Sequence, residues 1–392
     1  MKNYTYLIVG GGMTADAAVR GIRELDPDGS IGMVGMETDL PYARPPLTKG
    51  MWKGRPFEKI WRGTDQLNVE FSLGRRAISL NTATKHLQDD QGEEYSYKKL
   101  LLATGASPNR LPIGGDDIIY YRTLQDYLHL RKLTETRGHF LVIGAGFIGS
   151  EIAAAMTMLG KRVTMVFMEN SIGEPIYPPD LSSHLNDFYR KKGVEILPAD
   201  AISSLENVGE AFKVQTRAGK SLDVDAVIAG VGVRPNVDLA VSAGLKVGDG
   251  ILVDEQLNTS APDVSAAGDV ARFPHHGLGK LMRVEHEDNA LKMGKQAGRN
   301  MAGAREPYLH TPLFYSDLFE LGYEAVGELS SRLNMVADWQ VPHEKGVIYY
   351  LDSGRVRGVL LWNIWEKVDA ARALLLEPGP FDAENLKGLI KD

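Results

Sequence analysis

The 392-residue sequence contains no cysteine at all. This absence excludes disulfides, thiolate metal sites, iron–sulfur ligation, cysteine nucleophiles and a redox-active dithiol. The chain also lacks an excess of positive charge, because it has 44 lysines and arginines and 51 aspartates and glutamates, which gives a net charge of −7. Without a global positive field, neither nucleic acid nor an anionic membrane is an expected partner.

Targeting and membrane signals are missing as well. Met1-Lys2-Asn3 leads directly into Tyr4–Val9, with neither a secretory signal nor an Arg-rich presequence. No apolar run approaches the ~18 residues of a membrane span. We therefore expect a cytoplasmic protein, and the length predicts two to three globular domains.

Glycine, by contrast, is abundant, with 42 residues or about 11% of the chain against roughly 7% in an average protein. Its first concentration, Gly10-Gly11-Gly12-Met13-Thr14-Ala15, follows the apolar strand Tyr4–Val9 and precedes a helical sequence. This G-x-G-x-x-A turn in a strand–helix context is typical of a dinucleotide site, with Glu37 as the candidate ribose ligand. A plain strand–helix turn without a ligand is the alternative.

A second copy of the pattern begins 134 residues after Gly10. The strand Phe140–Ile143 is followed by Gly144-Ala145-Gly146-Phe147-Ile148-Gly149, and a helix is predicted from Ser150 to about Leu159. Glu169, 20 residues beyond Gly149, is the corresponding acid. Two intact fingerprints indicate two nucleotide sites.

Three further glycine turns follow apolar strands. They are Ala103-Thr104-Gly105, Gly230-Val231-Gly232 and Gly268-Asp269. Ligands in open α/β sheets bind beyond the carboxyl ends of strands, where these turns are expected. Asp269 is either a helix N-cap or an acceptor for a ligand hydroxyl.

With these motifs the chain resembles the FAD- and pyridine-nucleotide-dependent reductases, in particular the ferredoxin and rubredoxin reductases and apoptosis-inducing factor. The resemblance extends to Pro41–Lys49, Arg283–Asp288 and Phe314–Asp317. It implies an α/β fold with two Rossmann-like dinucleotide-binding domains, similar to glutathione reductase without its redox disulfide, and a C-terminal α+β interface domain. The implied boundaries are 1–112 and 244–306 for the FAD domain, 113–243 for the NAD domain and 307–392 for the C-terminal domain.

The resemblance implies that FAD occupies the first glycine turn and NADH the second. Glu37 would bind the adenosine ribose, Arg44 the pyrophosphate and Asp269 the ribitol. Glu285 and His286 would lie near the pyrimidine side of the flavin. Tyr315 stands where apoptosis-inducing factor has a tryptophan, and it either borders the nicotinamide or simply packs in its sheet.

The same resemblance brings Lys49 and Glu151 together beside the flavin N5, where NADH would deliver its hydride. Phe147 would cover the flavin as a lid that the nicotinamide displaces. The alternatives are a surface lysine, an exposed helical glutamate and ordinary packing of Phe147 at the start of its helix.

NADH is favoured over NADPH because the charge of Glu169 would repel a 2′-phosphate. Lys161 and Arg162 precede the strand and could still assist NADPH. We expect no metal, because the adjacent residues Glu285-His286-Glu287-Asp288 do not share one helix face.

Electrons must leave the flavin without a thiol, so the candidate acceptors are a ferredoxin or rubredoxin, a quinone, or oxygen. From Thr48 to Gly63 the chain has five basic residues and one acid, with Trp52 and Trp61 among them. This segment either docks an acidic carrier or is a solvated basic loop. An alternative function is a redox sensor, with a long-lived NADH complex and NADH-linked dimerisation.

Overall fold

The structure, a computed structural model, describes residues 1–391 and divides into two compact units. Each unit is assembled from three separate segments of the chain. The first unit contains Met1–Arg44, Pro56–Ser107 and Arg234–Leu313, and the second contains Pro45–Arg55, Pro108–Val233 and the chain from Phe314 onward. No helix among the described residues is long and apolar enough to cross a membrane.

The regular elements are numbered in chain order. The strands are β1 (Lys2–Val9), β2 (Ile31–Gly35), β3 (Val69–Leu73), β4 (Ala77–Asn81), β5 (His86–Asp89), β6 (Glu94–Leu102), β7 (Ala106–Pro108), β8 (Ile118–Tyr120), β9 (His139–Ile143), β10 (Arg162–Val166), β11 (Val194–Leu197), β12 (Ile202–Val208), β13 (Ala211–Thr216), β14 (Ser221–Val224), β15 (Ala226–Ala229), β16 (Val233–Pro235), β17 (Val247–Gly248), β18 (Gly250–Leu252), β19 (Val264–Ala266), β20 (Ala271–His275), β21 (Lys280–Met282), β22 (Leu313–Leu318), β23 (Leu321–Gly327), β24 (Asn334–Val341), β25 (Lys345–Asp352) and β26 (Arg355–Trp362). The helices are α1 (Met13–Arg23), α2 (Leu124–Thr136), α3 (Phe147–Met158), α4 (Pro179–Lys191), α5 (Asp238–Ser242), α6 (Glu287–Met301), α7 (Val368–Leu376) and α8 (Ala383–Leu386).

The first unit is built on a sheet of order β3-β2-β1-β6-β5-β4, with β19 also paired to β6. Strands β3, β2, β1, β6 and β19 run parallel, and the apolar run in β1 is buried as expected for a sheet covered on both faces. Val9 pairs with both Val34 and Leu102, and Ala266 also pairs with Leu102. The loops after β1, β2, β6 and β19 therefore begin at one edge of the sheet.

Helices α1 and α6 pack backbone to backbone against each other in this unit. A Cβ on Gly298 would lie 2.0 Å from the carbonyl oxygen of Ala18, and one on Gly294 would lie 2.4 Å from that of Thr14. Part of the glycine surplus thus serves helix packing rather than nucleotide binding, because only a residue without a side chain permits such close approach.

The second unit contains a parallel sheet of order β11-β10-β9-β15-β8. Helix α2 begins with a capping box, in which the Thr123 hydroxyl accepts from the Asp126 backbone N–H and the Asp126 carboxylate accepts from that of Thr123. Helix α3 begins at Phe147, three residues earlier than predicted, because Gly146 serves as its N-cap. An antiparallel meander, β12-β13-β14, was not predicted.

An antiparallel sheet of order β22-β23-β26-β25-β24 forms the C-terminal part of the second unit. The sequence after Pro307 predicts strands around residues 324–329, 335–340, 346–351 and 355–362, which correspond to β23, β24, β25 and β26, whereas β22 was missed. Asp352-Ser353-Gly354 predicts a hairpin turn between β25 and β26, and Ser353 and Gly354 there both have positive φ, at 50° and 76°. Helix α7 packs on β23 and β26, so this region has the α+β character that the sequence predicts.

The proline-rich segment Pro45–Arg55 belongs to the second unit. The Leu47 carbonyl accepts hydrogen bonds from Trp52 Nε1 at 2.7 Å and from the Tyr121 hydroxyl at 2.5 Å. The Trp52 ring packs at 5.0 Å from the Tyr127 ring of α2. Trp52 is therefore a buried anchor of this segment and not part of its exposed surface.

Candidate functional site

The first glycine turn leaves open space at the N-terminus of α1. Gly10 has φ +125°, and a Cβ there would lie 2.1 Å from the Ala103 carbonyl oxygen. Gly12 is the N-cap of α1 and provides no side-chain cap, and a Cβ on it would meet nothing within 4 Å. The backbone N–H groups at a helix N-terminus and the helix dipole make this a suitable site for an anionic pyrophosphate.

Two other predicted turns lie at the same sheet edge. Ala103-Thr104-Gly105 follows β6, and its Thr104 hydroxyl donates to the Asn236 carbonyl while the Asn236 amide donates to the Thr104 carbonyl, both at 2.8 Å. Gly268-Asp269 follows β19, and a Cβ on Gly268 would lie 2.2 Å from Thr14 Oγ1. Asn236 belongs to no motif, so its role in fixing the Thr104 turn was missed.

Glu37 and Arg44 form a polar cluster with Tyr42. The Arg44 guanidinium donates to Glu37 Oε1 at 2.7 Å, and the Tyr42 hydroxyl donates to Glu37 Oε2 at 2.5 Å. Burial lowers the pKa of Arg44, but electrostatic interactions with Tyr42, Glu37 and Asp269 outweigh this effect and raise that pKa above its ordinary value. Arg44 is thus a fixed cation near the first turn, and its backbone N–H contacts the Met13 sulfur at 3.5 Å.

Glu285 and His286 lie at the start of α6 in the first unit. Glu285 is exposed and forms an ion pair with Arg283, which also contacts Asp249 at 3.0 Å. His286 is the N-cap of α6, and its side chain makes no capping hydrogen bond. Among residues 1–391, no three acidic or imidazole side chains are grouped as metal ligands would be.

The second glycine turn has the same design as the first. Gly144 has φ +97°, and a Cβ on it would lie 2.4 Å from the Gly230 carbonyl oxygen. A Cβ on Gly149 would lie 2.1 Å from the Gly144 carbonyl oxygen, whereas one on Gly146 would meet nothing within 4 Å. Gly230 and Gly232 follow β15, which pairs with β9, so these loops share one sheet edge. The open N-terminus of α3 fits a second pyrophosphate.

Glu169 lies beyond the carboxyl end of β10, near this second turn. Phe167, at the strand end, is buried, whereas Glu169 is half-buried. Lys161 and Arg162 lie at the amino end of β10, where Lys161 donates to the Arg137 carbonyl at 2.9 Å. A five-residue strand of about 13 Å separates the two ends, so these cations lie away from Glu169, and their assistance to NADPH stays a prediction.

Lys49 and Glu151 form an ion pair inside the second unit. Lys49 Nζ lies 2.6 Å from Glu151 Oε1, and the two side chains are only 13% and 2% exposed. Lys49 Nζ also lies 5.1 Å from the centre of the Tyr315 ring, within the range of a cation–π contact. Neither residue is the solvated surface group of the alternative interpretation.

Two hydroxyls complete the surroundings of Glu151. Thr48 Oγ1 donates to Glu151 Oε2, and Ser316 Oγ donates to Glu151 Oε1, both at 2.6 Å. All three side chains are buried. Thr48 and Ser316 were not predicted as site residues, although each is the immediate neighbour of a predicted residue.

Phe147, Ile148 and Gly149 form the first turn of α3. The Phe147 ring is half-exposed and packs edge-on against Phe314 of β22, with 6.2 Å between ring centres. A half-exposed ring that packs edge-on against one neighbour is compatible with both the lid and the packing interpretation.

The basic segment Thr48–Gly63 is less exposed than its sequence suggests. Lys49 is paired with Glu151, and Arg62 Nε lies 2.6 Å from the fully buried carboxylate of Asp16. Lys53, Arg55 and Lys59 are exposed. On the first unit, Phe57 and Trp61 expose 39% and 38% of their surface with 5.8 Å between ring centres.

Comparison with known proteins identifies two family profiles along the chain. The profile described as pyridine nucleotide-disulphide oxidoreductase matches residues 4–294. The profile described as the C-terminal region of mitochondrion-associated apoptosis-inducing factor matches 297–344 and 336–377. Since the sequence has no cysteine, the chain cannot form the disulphide in the family's name.

Individual relatives match over almost the full chain. Apoptosis-inducing factor 1 of Dictyostelium discoideum is 31% identical over 96% of this chain and 79% of its own length. The ferredoxin reductase subunit of 5,5′-dehydrodivanillate O-demethylase from Sphingobium is 30% identical over 98% and 96%. The solved putidaredoxin reductase from a covalent complex with putidaredoxin has a TM-score of 0.90 at 28% identity, covering 98% and 96%. With both glycine turns in place and these matches, the chain belongs to the pyridine nucleotide-disulphide oxidoreductase family, in its ferredoxin reductase and apoptosis-inducing factor-like branch.

Proposed function

We propose that this oxidoreductase uses FAD to take hydride from NADH and passes the electrons to a small ferredoxin- or rubredoxin-type protein. The observation that carries the proposal is the combination of two open helix N-termini, at Gly12 and Gly146, with the buried Lys49–Glu151 pair. When bound, FAD supplies a centre that accepts two electrons and releases them singly.

Residues of the first unit would bind FAD. The α1 N-terminus and Arg44 would balance the pyrophosphate charge, and Glu37 would accept from the adenosine ribose while it orients Arg44. Asp269 would accept from the ribitol hydroxyls. The resemblance adds Glu285 and His286 on the pyrimidine side.

Residues of the second unit would bind NADH and assist the hydride transfer. The α3 N-terminus would hold the pyrophosphate and Glu169 the ribose, and the Glu169 charge favours NADH over NADPH. The Lys49 ammonium would stabilise negative charge that develops on the flavin, and Glu151 would hold this cation in place. Phe147 would move aside for the nicotinamide.

An electron-carrier protein is the proposed acceptor. Two relatives support this choice, because one is named as a ferredoxin reductase subunit and the other forms a complex with putidaredoxin. The cysteine-free sequence leaves no thiol relay by which electrons could take another route to a disulfide substrate.

The exposed cations of the basic segment are the proposed contacts for an acidic carrier. We expect reversal of Lys53, Arg55 and Lys59 to glutamate to raise the KM for an acidic ferredoxin about tenfold or more, because charge complementarity guides encounter. The measurement is carrier reduction against ionic strength, with artificial dye reduction unchanged. A matched control reverses Lys98, Lys213 and Lys246, three exposed lysines outside the segment. An equal loss in the control would contradict the docking role.

The proposal is tested by mixing the FAD-loaded protein anaerobically with NADH or NADPH and then with ferredoxin, rubredoxin, quinone or oxygen. We expect rapid bleaching of the flavin band by NADH and rapid reoxidation by a protein carrier. Failure of NADH to reduce the flavin would refute the proposed function.

The profile match to apoptosis-inducing factor over 297–377 supports a second candidate, a redox sensor. A sensor would keep its NADH complex for minutes, show a persistent long-wavelength charge-transfer band and form dimers with NADH. Size-exclusion chromatography with and without NADH distinguishes this candidate from a turnover enzyme.

A further inference from the structure

We propose that Thr48 and Ser316 are positioning residues that fix the Glu151 carboxylate, and through it the Lys49 ammonium, for the hydride transfer. This inference rests on the proposed function, because it assigns a role to neighbours of the same ion pair. Neither hydroxyl belongs to a nucleotide fingerprint.

The Glu151 carboxylate is surrounded by hydrogen-bond donors of the protein. Its side chain is 2% exposed, so a carboxylate here must obtain its hydrogen bonds from the protein. Oε1 accepts from Lys49 and Ser316, and Oε2 accepts from Thr48, each at 2.6 Å. Both oxygens are therefore held, and the plane of the carboxylate cannot rotate without breaking a bond.

The Lys49 ammonium depends on the Glu151 carboxylate for its position. A lysine has a flexible four-carbon stem and a compact charge, so its position depends on what holds the ammonium. Here the contacts described for Nζ are Glu151 at 2.6 Å and the Tyr315 ring at 5.1 Å. If the carboxylate rotated or shifted, the cation would follow it, and charge stabilisation depends strongly on such placement.

The two hydroxyls belong to chain segments that also carry members of the Lys49 site. Thr48 precedes Lys49 in the proline-rich segment, and Ser316 follows Tyr315 in β22. The Thr48 hydroxyl is thus placed by the backbone that carries Lys49 itself, and the Ser316 hydroxyl by the backbone that carries Tyr315, a contact of the ammonium. Thr48 and Ser316 are 7% and 1% exposed, so water cannot easily replace either hydrogen bond.

The experiment compares Thr48→Val, Ser316→Ala, the double variant and the conservative Thr48→Ser in the FAD-loaded protein. Flavin content and circular dichroism report whether each variant is folded and loaded. The readouts are the midpoint potential of the bound flavin, the rate of reduction by NADH, and reductive methylation of Lys49 relative to Lys53 by peptide mass spectrometry. Lys53 is exposed and serves as the internal reference.

We expect the double variant to reduce its flavin at least tenfold more slowly at saturating NADH, with the KM for NADH changed less than twofold. The flavin should become harder to reduce by about tenfold in equilibrium constant, which is about 30 mV for two electrons. Lys49 methylation should rise about fivefold relative to Lys53. Thr48→Ser, which keeps the hydroxyl, should leave all three values within twofold of those of the unmodified protein.

Unchanged potential and unchanged Lys49 labelling in a folded double variant would overturn the inference. If the double variant does not fold, the same criteria apply to the two single variants. Failure of the proposed function is a separate result, because a protein that NADH cannot reduce still yields the dithionite potential and the labelling ratio.

Discussion

At the scale of single residues, Lys49 is the side chain whose environment departs most from what its amino-acid type suggests. Lysine is almost never buried without a partner, and here the carboxylate of Glu151 and the face of Tyr315 account for its burial. The structure thus explains the burial of the pair, while its role toward the flavin remains our proposal.

We expect Lys49→Ala to slow flavin reduction by NADH between 10- and 100-fold, about 1.4 to 2.7 kcal/mol of transition-state stabilisation. FAD should remain bound, because the FAD cradle lies in other residues. Anaerobic stopped-flow reduction measures the rate, and Lys53→Ala is the control for loss of a nearby exposed lysine. An unchanged rate in Lys49→Ala would remove this residue from the mechanism.

Glu169 decides the proposed cofactor preference at this same scale. We expect Glu169→Gln to improve the ratio of kcat/KM for NADPH over NADH about tenfold, because repulsion of the 2′-phosphate is removed. Lys161→Ala should leave that ratio unchanged, since Lys161 lies at the other end of β10. If the two variants changed the ratio equally, the assignment of Glu169 would be wrong.

At the scale of elements, the two strand–turn–helix motifs contain glycines that serve two different structural purposes. Gly10, Gly144 and Gly149 permit close backbone contact, because a Cβ on any of them would lie within 2.4 Å of a carbonyl oxygen. Gly12 and Gly146 instead leave open the space that a phosphate would fill. Only the second group should be replaceable without loss of stability.

We therefore expect Gly12→Ala to weaken FAD binding about tenfold or more, with little change in the melting temperature of the flavin-free protein. Gly12 has φ −96° and Gly146 has φ −79°, so alanine is compatible with both backbones. Gly146→Ala should retain FAD and raise the KM for NADH. Flavin release by equilibrium dialysis and steady-state kinetics separate the two effects, and each variant is the control for the other. Loss of FAD from Gly146→Ala would contradict the assignment.

At the scale of the whole molecule, each unit joins three distant chain segments, so long-range contacts carry its stability. Asp263 exemplifies this in the first unit, where it contacts Lys85 Nζ at 2.6 Å and Lys99 Nζ at 2.5 Å. Hydrogen bonds from Lys85 and Lys99 lower the pKa of the Asp263 carboxyl below its ordinary value. The ionised form is therefore the one that stabilises the fold.

We expect Asp263→Asn to lower the free energy of unfolding by about 1 kcal/mol at pH 7, as for two partly exposed ion pairs. Asparagine tolerates the positive φ of 63° at this position, so the change removes mainly the charge. Because the folded-state pKa is depressed, the stabilisation is complete above the unfolded value of about 3.9 and is lost as pH falls through the folded-state pKa. Urea unfolding from pH 7 to pH 3 should show the two proteins converging, and a constant difference would contradict this origin.

Local signals in the sequence determined the fold class, the two glycine turns and most strands of the C-terminal sheet. A G-x-G-x-x-A turn between an apolar strand and a helix depends on neighbouring residues, and so does the Ser353-Gly354 turn with its positive φ values. The lack of cysteine likewise shows, without any structure, that this chain can supply no thiol to a redox reaction.

The tertiary structure alone decided how distant residues are combined. Thr48 and Ser316 contact Glu151 across 103 and 165 residues of sequence, and Asn236 fixes a turn 132 residues away. It also buried Trp52, paired Arg62 with Asp16 and placed Lys161 at the amino end of β10, away from Glu169. Such contacts depend on the packing of whole elements. Hydroxyl and amide side chains follow no periodic pattern in the sequence from which these contacts could be predicted.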